Sequence, residues 1–293
     1  GHNVLVRLCT GVDCSQPVDS KLNRECMDDL VAWSNMTDQL FIWDYTVGFG
    51  NLHMPFPNTP ILKKNIQTFI ANKAIGLHEQ GDLYNPDVSL QPLKAYLFAK
   101  LMWDPSQDQD KLTREFLNGY FGAADSSIYA YIKLLENARA EYGSKLELFA
   151  VNAPYITPDV MVEAFGLFDQ AEKSVAGSAK LIKRVKLQRM AMEQAWTRFP
   201  LKTRADVTNR AGLNERQMVD HYIGLAKETG NIYISEGVMF SWDEFRFSAI
   251  GDTEPNTNPP PERVKDLPAT SWREVSLARV RLAAPAVATV VDD

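Results

Sequence analysis

Two acidic residues stand at the ends of strand-like apolar runs. Asp44 lies in the run QLFIWDY at residues 39–45, and Glu79 ends the run AIGLHE at residues 74–79. Hydrolysis of a glycosidic bond needs two carboxyl groups, one acting as acid and the other as base or nucleophile. If the two runs form adjacent parallel strands, both carboxyl groups reach the same edge of the sheet and could face one cleft. Asp44 and Glu79 are therefore the candidate catalytic pair; the structural alternative for each is a cap or a partner for a nearby arginine.

Polar and aromatic residues accompany this pair. Sugar hydroxyls need polar partners, and the C–H faces of sugar rings pack on aromatic side chains. The candidate substrate contacts in or beside the strand ends are Arg7, Trp43, Tyr45, His78 and Gln80. Arg7 could bind a substrate carboxylate or form a buried ion pair. Trp43 could bind a sugar or belong to the core.

Strands and helices must alternate to position these residues. Apolar runs predict strands at 4–9, 39–45 and 74–79, and amphipathic patterns predict helices at 21–34, 60–71 and 90–103. Apolar strands separated by helices are typical of a parallel sheet covered on both faces. The predicted fold class is α/β followed by all-α: the last three βα units of a (β/α)8 TIM-type barrel, then a helical domain. A small open sheet is the alternative to the barrel fragment.

The pattern changes after residue 105. Helical spacing of apolar residues predicts five helices, at 111–120, 126–142, 158–175, 179–199 and 214–229. We divide the chain into barrel units at 1–105, a helical domain at 106–250, a Pro-rich linker at 251–271 and the start of a truncated β-rich module at 272–293. The start without Met, directly before a strand, indicates a piece of a longer protein.

Composition narrows the classes of function. The 45% of hydrophobic and 23% of charged residues are typical of a soluble globular protein, and the net charge of -6 disfavours nucleic acid as a partner. No run approaches the length of a membrane span. Motifs for phosphate, for a nucleophilic serine or for zinc are missing, so neither a cofactor nor a metal is predicted. Cys9 and Cys14 could pair or remain free thiols.

Four sequence strings carry a resemblance to a known family. FIWDYTVGFGNLHMPFPN, IGLHEQGD, LKAYLFAKLMWDPSQD and REFLNGYFGAA resemble the bacterial family called domain of unknown function 4838, over residues 3–145. The resemblance implies a glycoside-hydrolase-like barrel in large exported proteins of polysaccharide-degrading bacteria, and therefore an extracellular or periplasmic location. It implies no established activity.

A more distant likeness is to the α-glucuronidases of glycoside hydrolase family 67. It would place Asp44 and Glu79 at the positions of paired general-base carboxylates, with the general acid on an earlier strand that this sequence does not contain. A uronic acid in the substrate would also give Arg7 a carboxylate to bind.

These observations predict a fragment of a glycoside hydrolase acting on a polysaccharide or a uronic-acid-containing glycan. The alternative is a non-catalytic carbohydrate-binding protein on the same barrel, and a third is a structural spacer around an inert barrel. The carboxylates separate the first two readings, because only hydrolysis requires them. The substrate, the stereochemistry of the reaction and the oligomeric state stay open.

Overall fold

The computed structural model of the chain describes residues 3–11 and 13–251, together with the backbone of two short strands at 279–281 and 289–291. The predicted linker, apart from Gly251, and the predicted β-rich module, apart from those two strands, lie outside the described residues.

The three predicted strands form one sheet. They are β1 Val6–Cys9, β2 Leu40–Tyr45 and β3 Ala74–Gln80. The order is β1-β2-β3, and both neighbouring pairs are parallel. The prediction of adjacent parallel strands is therefore confirmed. Three strands cannot close a barrel, so the described residues establish a mixed α/β fold that is mostly helical, without a closed barrel.

A helix follows each strand of this sheet. The helices are α1 Arg24–Met36, α2 Leu62–Ala71 and α3 Gln91–Trp103, and short 3-10 turns at Lys21–Asn23 and Thr59–Ile61 precede the first two. Leu40 and Ile42 of β2 are fully buried, as are Ile66 of α2 and Leu97 of α3. One face of the sheet is thus packed against helices.

Seven further helices follow. They are α4 Gln109–Phe121, α5 Asp125–Tyr142, α6 Pro158–Ser174, α7 Ala179–Trp196, α8 Leu201–Ala211, α9 Glu215–Thr229 and α10 Trp242–Ile250, with a 3-10 turn at Gly122–Ala124. The five predicted helices are confirmed to within a few residues, but α8 and α10 were not predicted. α8 buries only Val207 and Thr208, so its apolar periodicity is too sparse to recognise.

Two small hairpins complete the described residues. β4 Tyr233–Ser235 and β5 Val238–Met239 pair antiparallel between α9 and α10, and β6 Arg279–Arg281 pairs antiparallel with β7 Thr289–Val291. None of the helices in the described part of the chain has both the length and the apolar character needed to cross a membrane.

The sheet and the helices share one apolar core. Ile42 of β2, Leu97 of α3, Phe165 of α6 and Trp196 of α7 all belong to the same buried cluster. The described residues up to 105 therefore pack with residues 106–250 around one core, although the sequence patterns of the two parts differ.

The loop between β2 and α2, residues 46–58, links these two parts. Its Phe49 N–H donates to the Leu148 carbonyl at 2.8 Å, and its Leu52 N–H donates to the Ile234 carbonyl at 2.8 Å. A Cβ added at Gly50 would lie 2.1 Å from the Phe149 carbonyl oxygen. Only glycine allows the two backbones to approach this closely.

Candidate functional site

The register of β2 against β3 divides the predicted site residues between two faces of the sheet. Trp43 is the Cα partner of His78, Asp44 of Glu79, and Tyr45 of Gln80. Successive side chains of a strand point to opposite faces, whereas register partners point to the same one. Asp44 and Glu79 therefore share one face, and Trp43 and His78 share the other.

Asp44 is anchored on the face that the helices cover. The residue is 5% exposed. Its Oδ1 accepts a hydrogen bond from Thr10 Oγ1 at 2.6 Å, and the side chain of Asn65 in α2 lies close enough to lower the pKa of the carboxyl. Burial raises the pKa of the Asp44 carboxyl, and these hydrogen bonds act in the opposite direction because they stabilise the carboxylate.

Glu79 has no such anchor. The residue as a whole is partly exposed, but both carboxyl oxygens are buried and lack a hydrogen-bond partner within the described residues. Burial raises the pKa of Glu79 well above its usual value, and the charge of Asp44 raises it further. The pair therefore favours a proton on Glu79 and a negative charge on Asp44. Environments that push the pKa values of two carboxyls apart are the means by which acid and base roles are divided.

The other face of the sheet carries Arg7, Trp43, His78 and Gln80, which we call the open face. Arg7 is exposed, and its guanidinium carbon lies 5.2 Å from the centroid of the Trp43 ring. Trp43 Nε1 donates to Gln80 Oε1 at 2.8 Å, and the Trp43 and His78 rings meet edge to face at 4.8 Å. Burial lowers the pKa of His78, and the positive charge of Arg7 lowers it further.

Arg7 makes no ion pair with any residue of the described ranges, so the buried ion pair considered for it is not found there. Its side chain lies instead over Trp43 and over the ring of Phe41, whose centroid is 5.5 Å away. The guanidinium thus keeps its hydrogen-bond donors available at the surface of the open face.

Tyr45 joins a second aromatic group at the end of β2. Its ring meets Phe49 edge to face at 5.8 Å, and the small buried cluster around Phe49 also carries Tyr84 and Tyr233. Tyr84 and Tyr233 have ring centroids 5.0 Å apart. Asn85 Nδ2 holds the two segments together by donating to Asp82 Oδ2 at 2.7 Å and to the Tyr233 carbonyl at 3.0 Å.

Two of these aromatic residues, Tyr84 and Tyr233, were not among the site residues predicted from the sequence. Tyr84 lies in the loop after β3, so the strand-end reasoning that selected Gln80 could have included it. Tyr233 belongs to β4, in a segment remote from the sheet in sequence, and no local pattern indicates its position beside Tyr84.

The fold thus brings the catalytic candidates together and also brings most of the predicted substrate contacts together. The two sets lie on opposite faces of the sheet. The carboxyl pair is enclosed under α1 and α2, whereas the open face presents an arginine, an indole and two polar side chains. Two recesses lie elsewhere, one beside Lys94 and one beside Asn51, and neither is lined by Asp44 or Glu79.

Other predicted chemistry concerns thiols and metals. Cys9 is exposed, Cys14 and Cys26 are buried, and none of the three forms a disulfide. The chain, as far as its residues are described, has no group of three or more His, Cys, Asp or Glu side chains placed to hold a metal ion.

Comparison with known proteins finds a family match for the N-terminal part of the chain. No curated protein and no solved structure matches the chain. Residues 1–133 match the family described as Domain of unknown function (DUF4838), and the match spans the whole parallel sheet, α1 to α4 and both faces of the candidate site. The chain is therefore similar to the DUF4838 family over residues 1–133.

Proposed function

We propose that this protein binds a carbohydrate through the open face of its sheet. The observation that carries the proposal is the contact network of Arg7, Trp43, His78 and Gln80. An indole can pack against the C–H face of a sugar ring, while imidazole, amide and guanidinium groups can bond its hydroxyls. Arg7, which has no ion pair among the residues that the structure describes, further favours a glycan that contains a uronic acid, because arginine binds carboxylates in a bidentate manner.

The proposed architecture supports the same surface. If these βα units are the last three of a (β/α)8 barrel, the helix-covered face points outward and the open face lines the barrel interior. Ligands of such barrels bind at the carboxyl ends of the strands, where Trp43, Tyr45, His78 and Gln80 lie. An extracellular or periplasmic location would follow from the resemblance to exported polysaccharide-degrading proteins.

Glycoside hydrolysis is the second candidate function. It is favoured by the different surroundings of Asp44 and Glu79: hydrogen bonds lower the pKa of Asp44 against the effect of burial, whereas burial and the charge of Asp44 both raise the pKa of Glu79. The distant likeness to family 67 α-glucuronidases supports it as well. Hydrolysis would require the enclosed carboxyl oxygens to become accessible to substrate, whereas binding on the open face requires no rearrangement.

Titration calorimetry with xylo-, cello- and galacturono-oligosaccharides tests the proposal. We expect the wild-type chain to bind at least one of them, Trp43→Ala to weaken that binding at least about tenfold, and Arg7→Ala to weaken binding of the acidic glycan most. Glu79→Gln should leave binding unchanged. Absence of binding to every glycan would refute carbohydrate recognition.

Product analysis on the same samples separates the two functions. Release of shorter sugars by the wild-type chain, lost in Glu79→Gln while binding persists, would establish hydrolysis. Binding without any release would favour the non-catalytic function.

A further inference from the structure

Lys94 is a buried cation without a counter-charge. It lies in α3, is 2% exposed, and its Nζ donates to the carbonyl oxygens of Thr46 at 3.1 Å and Phe56 at 2.9 Å. Both acceptors are neutral, and no carboxylate of the described residues pairs with it. A buried ammonium is costly unless it is paired, so this site favours either a neutral amine or a bound anion.

A recess lies beside Lys94, and we call it the Lys94 recess. The loop after β2, α3, α5 and α7 enclose it, and its polar lining is Thr59, Ser89, Lys94, Tyr131 and Gln188. The space inside admits about one water molecule.

The polar lining of the Lys94 recess has unused donors. Tyr131 is 2% exposed, and its hydroxyl forms no hydrogen bond with another described residue. The ammonium of Lys94 has three N–H groups and uses two of them on carbonyls. The amide of Gln188 is committed to the Leu90 N–H and to Asp87. A ligand that only accepts hydrogen bonds and carries negative charge would complement this lining.

We propose that the Lys94 recess binds a monatomic monovalent anion, such as chloride, between Lys94 and Tyr131. The enclosed space, about that of one water molecule, suits a monatomic ion better than sulfate or phosphate, and the positive charge of Lys94 favours an anion over a neutral ligand. The bound anion would keep Lys94 in position, and Lys94 in turn donates to the carbonyls of Thr46 and Phe56, near the two ends of the loop 46–58.

Anion binding and protonation of Lys94 are coupled. Burial lowers the pKa of Lys94 to about 7. The remaining titratable side chain of the recess is Tyr131 from α5, and burial raises its pKa, so it stays neutral. Gln188 of α7 and the residues of the loop are uncharged, and Asp87 lies behind Gln188. Because an anion favours the ammonium form, binding takes up a proton and weakens as the pH rises above 7.

Thermal unfolding at matched ionic strength tests this coupling. We expect the wild-type Tm in sodium chloride to exceed that in sodium gluconate by about 2–4 °C near pH 6, and the difference to vanish near pH 9. Tyr131→Phe should reduce the difference near pH 6, and Lys94→Met should abolish it. Equal Tm values in the two salts near pH 6, or an undiminished difference in both variants, would overturn the proposal; a water molecule then fills the recess.

Crystals grown in sodium bromide provide a test that does not depend on the variants folding. An anomalous peak within about 3.5 Å of Lys94 Nζ is expected at pH 6. A map without a peak in the recess contradicts anion binding there, whatever Tm the variants have.

Discussion

Asp44 and Glu79 are direct neighbours across β2 and β3, yet all the hydrogen bonds go to Asp44. Thr10 Oγ1 and the side chain of Asn65 support the Asp44 carboxylate, whereas both Glu79 oxygens are buried without a partner in the described part of the chain. Two like charges in register would repel each other in a medium of low polarity. Burial and this repulsion therefore disfavour ionisation of both carboxyls at once, and the donors around Asp44 favour the negative charge at Asp44 over Glu79.

Replacing Glu79 by glutamine should stabilise the protein at neutral pH. The folded-state pKa of Glu79 lies above its unfolded value, so the wild-type fold loses stability as the pH rises from about 4.5 towards the folded pKa. Each unit of that pKa difference is worth about 1.4 kcal/mol. Glu79→Gln cannot ionise, so it avoids this loss of stability. In urea, its free energy of unfolding should exceed that of wild type near pH 7 and equal it near pH 4. A variant that is less stable at neutral pH would mean that the fold uses the ionised form.

Asp44→Asn should not show this gain, because the hydrogen bonds that Asp44 accepts offset part of the effect of burial on its pKa. The substitution keeps Oδ1 as an acceptor for Thr10, but it places an NH₂ donor where the second carboxylate oxygen was, so a buried donor can lose its acceptor at a cost of about 1–3 kcal/mol at pH 7. Thr10→Val, which deletes one donor and keeps the shape, should cost less. If Asp44→Asn unfolded at the wild-type urea concentration, the anchored carboxylate would have no part in stability.

Gly50→Ala should destabilise the contact between the loop 46–58 and the segment after α5. The new Cβ would lie 2.1 Å from the Phe149 carbonyl oxygen, so one backbone must move. We expect a loss of more than about 2 kcal/mol in the free energy of unfolding. Gly119→Ala in α4 is the matched control: its Cβ meets nothing within 4 Å, and helix propensity predicts a gain of up to about 1 kcal/mol. Equal effects of the two substitutions would show that the loop moves away freely.

Arg139→Met should be among the most damaging single substitutions. Arg139 Nη2 donates to Asp13 Oδ2 at 2.6 Å with both side chains buried, and Asp13 also accepts the Leu146 N–H at 2.7 Å. Removing one partner leaves a buried charge and costs about 3–5 kcal/mol. The exposed pair of Arg210 with Asp159, at 2.6 Å, offers the comparison, since Arg210→Met should change stability far less than Arg139→Met. Unfolding in guanidinium chloride measures the free energy of unfolding of both variants. A similar small loss in both would contradict the prediction.

The sequence alone determined the three strands, the helices that follow them and the edge of the sheet where the candidate residues gather. These features depend on the apolar periodicity of single segments, and that periodicity involves only residues a few positions apart. It also paired Asp44 with Glu79, because adjacent parallel strands end together.

The tertiary structure decided which face each residue occupies. The alternation of Trp43, Asp44 and Tyr45 separates the carboxylate from the aromatic rings, but only the packing of α1 and α2 determines that the carboxylate is the enclosed one. Tyr233 reaches Tyr84, and Tyr131 reaches the Lys94 recess, from segments far away in the chain. Such contacts form when whole elements pack to bury their apolar faces, so they cannot be predicted from the sequence pattern of any one segment.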